Sequence, residues 1–262
     1  MLDFIYYPVS AVLWLWHTAF AAILGTGTGT GSGLAWVLAI VFLVMTLRAL
    51  LIRPFLAQLK FSRALAEMQP KVQEIKRKHA GDREKQALAL QELQKESGVN
   101  VLTGFLPMIG QALVFIGLYH VLRSFQPGHT ENYVFNAAQV QSFLDAKLFG
   151  APLNATLTAA GSSFTAVAAV AIPLMIIAAV ATHFTARAAV ARQTPPADAA
   201  AASQARIMNT VSQWVFPAGA LFFGPVMPIA ILLYFVTQNA WTFAQQHLVA
   251  TRYGQGATKG TD

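Results

Sequence analysis

Residues 33–52 read GLAWVLAIVFLVMTLRALLI, twenty residues with a single charge, Arg48. A helix of that length rises about 30 Å, the thickness of the hydrocarbon core of a bilayer. The segment therefore reads as a membrane span, and its arginine is the second thing to explain. An ionised side chain at membrane depth costs at least a few kcal/mol on insertion scales. Two readings fit it: Arg48 lies about one turn from the basic end at Arg53 and can snorkel to the headgroups, or it serves a function inside a bundle.

The rest of the chain has the same solvent. Of 262 residues 55% are hydrophobic and 11% charged, roughly half the charge share of a soluble domain. Cysteine is absent, which excludes disulfides, thiolate nucleophiles and Cys-based metal sites. The net charge of +7 is local, because 10 of the 18 Lys and Arg residues lie between Arg53 and Lys95. It speaks of topology before it speaks of nucleic acid.

Pro54 to Gly98 is a water-exposed element, with 9 basic residues from Lys60 to Lys95 and 6 acidic ones from Glu67 to Glu96. Leu65, Met68, Val72 and Ile75 recur at helical spacing, Gly81-Asp82 marks a turn, and Ala87, Leu90 and Leu93 recur again before Gly98 closes the second helix. This predicts a helical hairpin with a narrow apolar seam and a charged remainder. Flanking Lys and Arg stay in the cytoplasm, so the hairpin is expected inside and the other segments follow by counting. Val101–Phe125 crosses outward, Phe125–Ser163 is an outer loop with Lys147 as its one Lys or Arg, and Phe164–Ala186 crosses inward. Arg187–Arg206, with Pro195-Pro196, reads as a flexible linker. Val211–Phe223 and Val226–Val249 form the last pair, turning outside at Gly224-Pro225-Val226-Met227-Pro228.

At the start, Phe4–Leu24 is apolar but led by Asp3 rather than a positive segment, so cleavage as a signal peptide is not expected. Tyr6, Tyr7, Trp14, Trp16 and His17 suit either a span or a helix lying in the interface, and the interfacial helix is favoured. The alternating Gly and Thr of Thr26–Ser32 lack the Lys-Ser/Thr of a phosphate loop and read as a flexible connector.

Catalytic patterns are missing from this sequence. The six histidines fall on different elements without metal-ligand spacing, and all 11 acids lie outside the confident spans, leaving no buried carboxylate for a proton or cation pathway. Asn154-Ala155-Thr156 matches a glycosylation acceptor by chance. The polar residues of the spans are nevertheless patterned. Gln238, Thr242 and Gln245 share one face of the last span, which also carries Asn239, and Thr46, Gln111, Thr182, His183 and Gln213 lie in the others. Interhelical hydrogen bonding explains such a set, and so does a wet cavity around an arginine that has no carboxylate partner.

Four ordered features resemble the YidC/Oxa membrane protein insertases: TLRALLIRPF, the hairpin MQPKVQEIKRKHAGDREKQALALQELQKESGVN, GFLPMIGQALVFIGLYHVLRSF with Pro107, Gln111 and Tyr119, and LLYFVTQNAWTFAQQHLV. The resemblance runs from Phe4 to about Tyr253. It implies an all-α polytopic membrane protein, a five-span bundle with an N-terminal interfacial helix and a cytoplasmic helical hairpin. The expected map is an external helix at 1–25, spans at 33–56, 101–125, 164–187, 209–224 and 226–249, the hairpin at 57–98, an extracellular loop at 126–163, a linker at 188–208 and a short cytoplasmic tail at 250–262.

The resemblance further implies a non-enzymatic insertase of the bacterial plasma membrane, with its N-terminus outside and C-terminus inside, working alone or with the Sec translocon. Its substrate groove would comprise Arg48, Thr46, Gln111, Gln213, Gln238, Asn239, Thr242 and Gln245. Lys60, Arg63, Lys71, Lys76, Arg77, Lys78, Arg83 and Lys85 of the hairpin would recruit substrates. The implied partners are nascent membrane proteins, the Sec translocon, the ribosome through the hairpin, and the lipid bilayer, with no direct nucleic-acid contact, no metal and no organic cofactor. Pro54 follows Arg48 by six residues where many members have five, and with Lys259 as the one basic residue beyond Arg252, ribosome binding through a basic tail is not expected. Two other classes compete. A solute channel would call for a second-half repeat or a paired intramembrane acid, and a purely structural scaffold would tolerate neutralisation of Arg48.

Overall fold

Inside lipid a backbone must satisfy its own amides, and the long segments of this chain do so as helices. The computed structural model describes residues 2–25, 30–97, 101–128, 131–191, 193 and 199–254. Their order is α1 (Asp3–Leu24), α2 (Thr30–Leu50), α3 (Ile52–Lys78), α4 (Arg83–Ser97), α5 (Val101–Arg123), α6 (Ala137–Asp145), a two-residue antiparallel hairpin of β1 (Lys147–Leu148) and β2 (Ala151–Pro152), α7 (Phe164–Val190), α8 (Ala199–Thr210), α9 (Phe216–Phe223) and α10 (Ile229–Gly254). Three stretches of the described residues are long and apolar enough to cross a membrane: Asp3–Leu24, Gly31–Leu50 and Gly161–Val190; Met108–Arg123 is a shorter apolar stretch.

The chain forms two compact units, one of residues 1–48, 114–193 and 206–262, the other of 49–113 and 194–205. In the first unit α1 buries Ile5, Val9, Leu13, His17 and Ala21, one residue per turn on one face. The imidazole of His17 stacks on Trp36 of α2 at 3.7 Å, and Phe125, Phe135 and Phe143 pack around the same indole with centroids 5.1 to 5.6 Å away. Trp36 is the largest side chain in this core and is fully buried. Gly117 of α5 lets α1 come close, because a methyl there would lie 2.7 Å from Ile5 Cγ2.

Residues 126–163, expected as a loop, carry a good deal of structure. Asn132 is buried and donates from Nδ2 to the Val121 carbonyl at 3.1 Å. Asn136 caps α6 in a reciprocal box with Gln139. The carbonyls of Leu153 and Ala155 accept the amides of Ala230 and Ile229 at 2.9 and 3.1 Å. Those amides open α10 and have no acceptor within their own helix, so the preceding segment supplies it.

Several boundaries differ from the sequence reading, among them that of the last span, expected at 226–249 and found as α10 at Ile229–Gly254. Thr30–Ser32, read as part of a connector, already belongs to α2; residues 26–29 lie outside the described residues. The first hairpin helix starts at Ile52 rather than at 57, with Pro54 in its first turn, where amides lack intrahelical acceptors anyway. The linker at 188–208 is helical at both ends, as the end of α7 and as α8, whose alanine run has the strongest helix propensity. Of its middle, residue 192 and residues 194–198, including Pro195-Pro196, lie outside the described residues. From α8 the chain passes through a π-helical turn at Val211–Val215 straight into α9.

In the second unit, α3 and α4 are joined at His79–Asp82, where the turn was expected. Met68, Val72, Ile75, Leu90 and Leu93 are half-buried along the seam, while Leu65 and Ala87 remain exposed. Gly98, assigned as the close of α4, is outside the described residues. Asp82 caps α4: its Oδ1 accepts the Lys85 amide at 3.1 Å, and Oδ2 pairs with Lys85 Nζ at 3.1 Å. These two contacts with Lys85, backbone first, hold the Asp82 carboxyl below the usual carboxylate range. A lowered acid adds stability that is present above its unfolded pKa and is lost as pH falls through the folded value. Amide exchange at Lys85, corrected for intrinsic rate, is therefore expected to stay slow through neutral pH and to accelerate only below the ordinary Asp range, and Asp82→Ala should abolish that pH step.

Glycines allow a comparison of crowding. A methyl on Gly33 of α2 would overlap the carbonyl of Lys147 in β1, whereas one on Gly219 of α9 would meet nothing within 4 Å. Gly33→Ala is expected to destabilise the first unit by about 1–3 kcal/mol, as overpacking does. Gly219→Ala should be neutral or stabilising. Thermal unfolding of the two variants in the same detergent checks the contrast.

Candidate functional site

Arg48 sits in the last turn of α2 and points into the first unit. Its Nε donates to Oε1 of Gln238 at 2.8 Å and an Nη donates to Oγ1 of Thr242 at 2.8 Å. Gln238 and Thr242 are four residues apart on α10, the spacing that stacks two side chains on one face. The Thr242 hydroxyl gives its proton to the Gln238 backbone carbonyl at 2.9 Å, which leaves its lone pairs to the guanidinium. Both partners are neutral, so the site carries a net positive charge.

The other residues assigned to the site divide among different neighbours. Thr46, one half-turn before Arg48, accepts Trp16 Nε1–H from α1 at 3.0 Å and donates to the Phe42 carbonyl. Asn239 turns to α7, where its Oδ1 receives the Thr182 hydroxyl at 3.1 Å. Gln245 accepts Trp241 Nε1–H at 3.1 Å on its own helix and is not a partner of Arg48. Gln213 contributes its backbone carbonyl: within the π-helical turn it accepts His183 Nδ1–H at 2.7 Å, which fixes the imidazole tautomer. Gln111 is half-buried on α5 in the second unit. The eight basic residues of the hairpin are all exposed. The role of Trp16 as a donor was not legible, since spacing along one helix says nothing about a contact with another 30 residues away, whereas the Trp241–Gln245 pair has the i, i+4 spacing that could have signalled it.

A cavity of about 300 Å³ lies between α7, α9 and α10. Its wall is almost wholly apolar, with Phe216, Gly219, Phe223 and Leu232, and Thr182 and Asn239 supply its polar spot. A second, more open depression of about 590 Å³ runs along Ala181, Phe184, Arg187 and Phe243. Neither has Arg48 in its wall. Exposed Ile172, Ile176, Ile177 and Val180 give α7 a continuous apolar outer face. Among the described residues no group of three or more His, Asp or Glu could hold a metal ion.

Residues 28–256 match the family described as 60Kd inner membrane protein. The chain belongs to the YidC/Oxa family of membrane protein insertases. It is 46% identical over 270 residues to the membrane protein insertase YidC of Mycolicibacterium paratuberculosis, covering 95% of this chain and 75% of that one. It is 45% identical to the same protein of Mycobacterium tuberculosis H37Rv, covering 95% and 72%, and 31% identical to that of Streptomyces avermitilis, covering 95% and 58%. This is therefore a multi-pass membrane protein insertase, not an enzyme, and its substrates are membrane proteins.

The hydrogen bonds of Arg48 make a sharp stability test in the insertase. Removing both acceptors in Gln238→Leu/Thr242→Val strands a charge in the bundle and is expected to cost about 2–4 kcal/mol. Adding Arg48→Met to that pair should recover most of the loss, because the unsatisfied group is then gone. Equilibrium unfolding in one lipid–detergent mixture compares the double and triple variants.

Proposed function

We propose that Arg48 is the centre of a hydrophilic intramembrane groove through which this insertase draws a substrate's polar tail. The observation that carries this reading is the pair of neutral acceptors on Arg48, Gln238 and Thr242. A structural arginine would be cheapest beside a carboxylate. One held by amide and hydroxyl oxygens keeps its charge available for an incoming acidic or polar segment. Thr46, Gln213, Asn239 and Gln245, which belong to the same unit as Arg48, are assigned to the polar lining of this groove.

The free energy comes from the substrate. Moving about 20 apolar residues from water into lipid releases far more than a short polar tail costs to cross, and the positive groove lowers that cost further. No nucleotide enters this scheme. The apolar face of α7 and the cavity between α7, α9 and α10 are suited to a hydrophobic segment as it leaves for lipid.

In this reading the chain lies in the bacterial plasma membrane with five spans, α1 on the outer surface, the α3–α4 hairpin and the C-terminus inside. The exposed basic residues Lys60, Arg63, Lys71, Lys76, Arg77, Lys78, Arg83 and Lys85 would recruit nascent chains and touch the ribosome. The Sec translocon is the proposed partner for larger substrates.

Reconstitution tests the central claim. The purified protein in liposomes is expected to insert a small single-span protein with a short acidic tail. Arg48→Ala should cut the yield about tenfold and Arg48→Lys should keep most of it. An Ala variant that folds and inserts at the wild-type level would remove the groove arginine from the mechanism.

A further inference from the structure

The β1–β2 hairpin turns on Phe149 and Gly150, and both adopt left-handed backbone angles, φ 51° and 85°. Gly150 does so freely, but a phenylalanine does not, because its Cβ crowds the adjacent carbonyl. Asn, Asp or Gly is the usual occupant of such a position. The ring gains nothing from the protein in return, since Phe149 is 88% exposed. A strained, exposed aromatic points to a partner outside the chain.

The position of the turn says which partner. The Lys147 carbonyl lies against Gly33 at the start of α2, and a methyl on Gly150 would sit 3.9 Å from Ala166 Cβ in the first turn of α7. The tip is thus level with the end of the apolar run Phe164–Ala181, whose 18 residues rise about 27 Å. Phe164 is itself 55% exposed and heads the exposed apolar stripe continued by Ile172 and Ile176. Exposed Lys147, the one Lys or Arg in 126–163, is on the same hairpin. Apolar rings beside a lysine at the end of a span suit the acyl–headgroup boundary of a bilayer, the rings on the acyl side and the ammonium among the headgroups.

We propose that Phe149, with Phe164, is a lipid anchor that enters the acyl boundary of the leaflet at this end of α7, with Lys147 at the height of the lipid phosphates. The anchor pins segment 126–163 to the membrane surface, and the strain at Phe149 is kept because no turn-forming residue would reach lipid.

The absence of cysteine from these 262 residues allows a single nitroxide at Phe149→Cys in the whole chain. In vesicles of phosphatidylethanolamine and phosphatidylglycerol, position 149 is expected to collide with oxygen several-fold more than with a water-soluble nickel chelate. A nitroxide at Ala138→Cys, exposed on α6, should show the reverse. Equal nickel access at the two positions overturns the proposal. Phe149→Trp keeps the aromatic ring and guards against a turn disturbed by the label. It should add fluorescence quenched by lipids brominated near the headgroup, and added emission untouched by those lipids overturns it as well.

Discussion

A guanidinium within an apolar bundle must find acceptors, and the spans of this chain contain no carboxylate to offer. Arg48 therefore constrains the helices around it. Gln238 and Thr242 must face α2 together, which sets the rotation of α10, and the Thr242 hydroxyl must spend its proton on its own helix so that its lone pairs remain for the arginine. A buried ion pair would have satisfied the same geometry while cancelling the charge. Neutral acceptors satisfy the hydrogen bonds and leave the positive field in place.

The remaining polar contacts of the first unit lie elsewhere and do a different job. Trp16 to Thr46 ties α1 to α2, Thr182 to Asn239 ties α7 to α10, and His183 holds the π-helical turn at Gln213. Each is a modest interhelical bond of the kind that adds about 1 kcal/mol or less in lipid. Around Trp36 the packing is aromatic, with the indole N–H donated to Ser142 Oγ at 3.2 Å, and the segment 126–163 closes over that cluster while supplying acceptors to the first amides of α10. One end of the unit is therefore well packed, whereas the apolar cavity between α7, α9 and α10 leaves room at their contact.

Much of the architecture could be read from residue order because lipid imposes a simple rule. A long uncharged run has one low-energy state, so the helices at 3–24, 30–50 and 164–190 follow from hydropathy, and the turn at Gly81-Asp82 follows from charge and glycine. Helix ends were harder, since they depend on propensity balanced against solvent. The Ala199–Ala202 run continues as helix where two prolines had suggested a flexible linker, and α3 starts before its proline. Small ordered pieces such as α6 and the β1–β2 hairpin gave little signal, because they are held by distant neighbours, Trp36 and Phe125 against Phe143 of α6 and Gly33 against Lys147 of β1, rather than by any periodic pattern.

Composition along a line is enough to place this chain in a membrane, to mark a water-exposed basic hairpin, and to show one arginine standing where charge is costly. What that arginine touches follows from how the helices pack in three dimensions. Gln238, Thr242 and Gln245 look equivalent on a helical wheel, yet Gln245 is taken by Trp241 and Asn239 by Thr182, leaving two for Arg48. A wheel records direction around one axis. Which acceptor is used depends on the tilt and rise of the facing helices, and those are fixed by packing between residues some 190 positions apart.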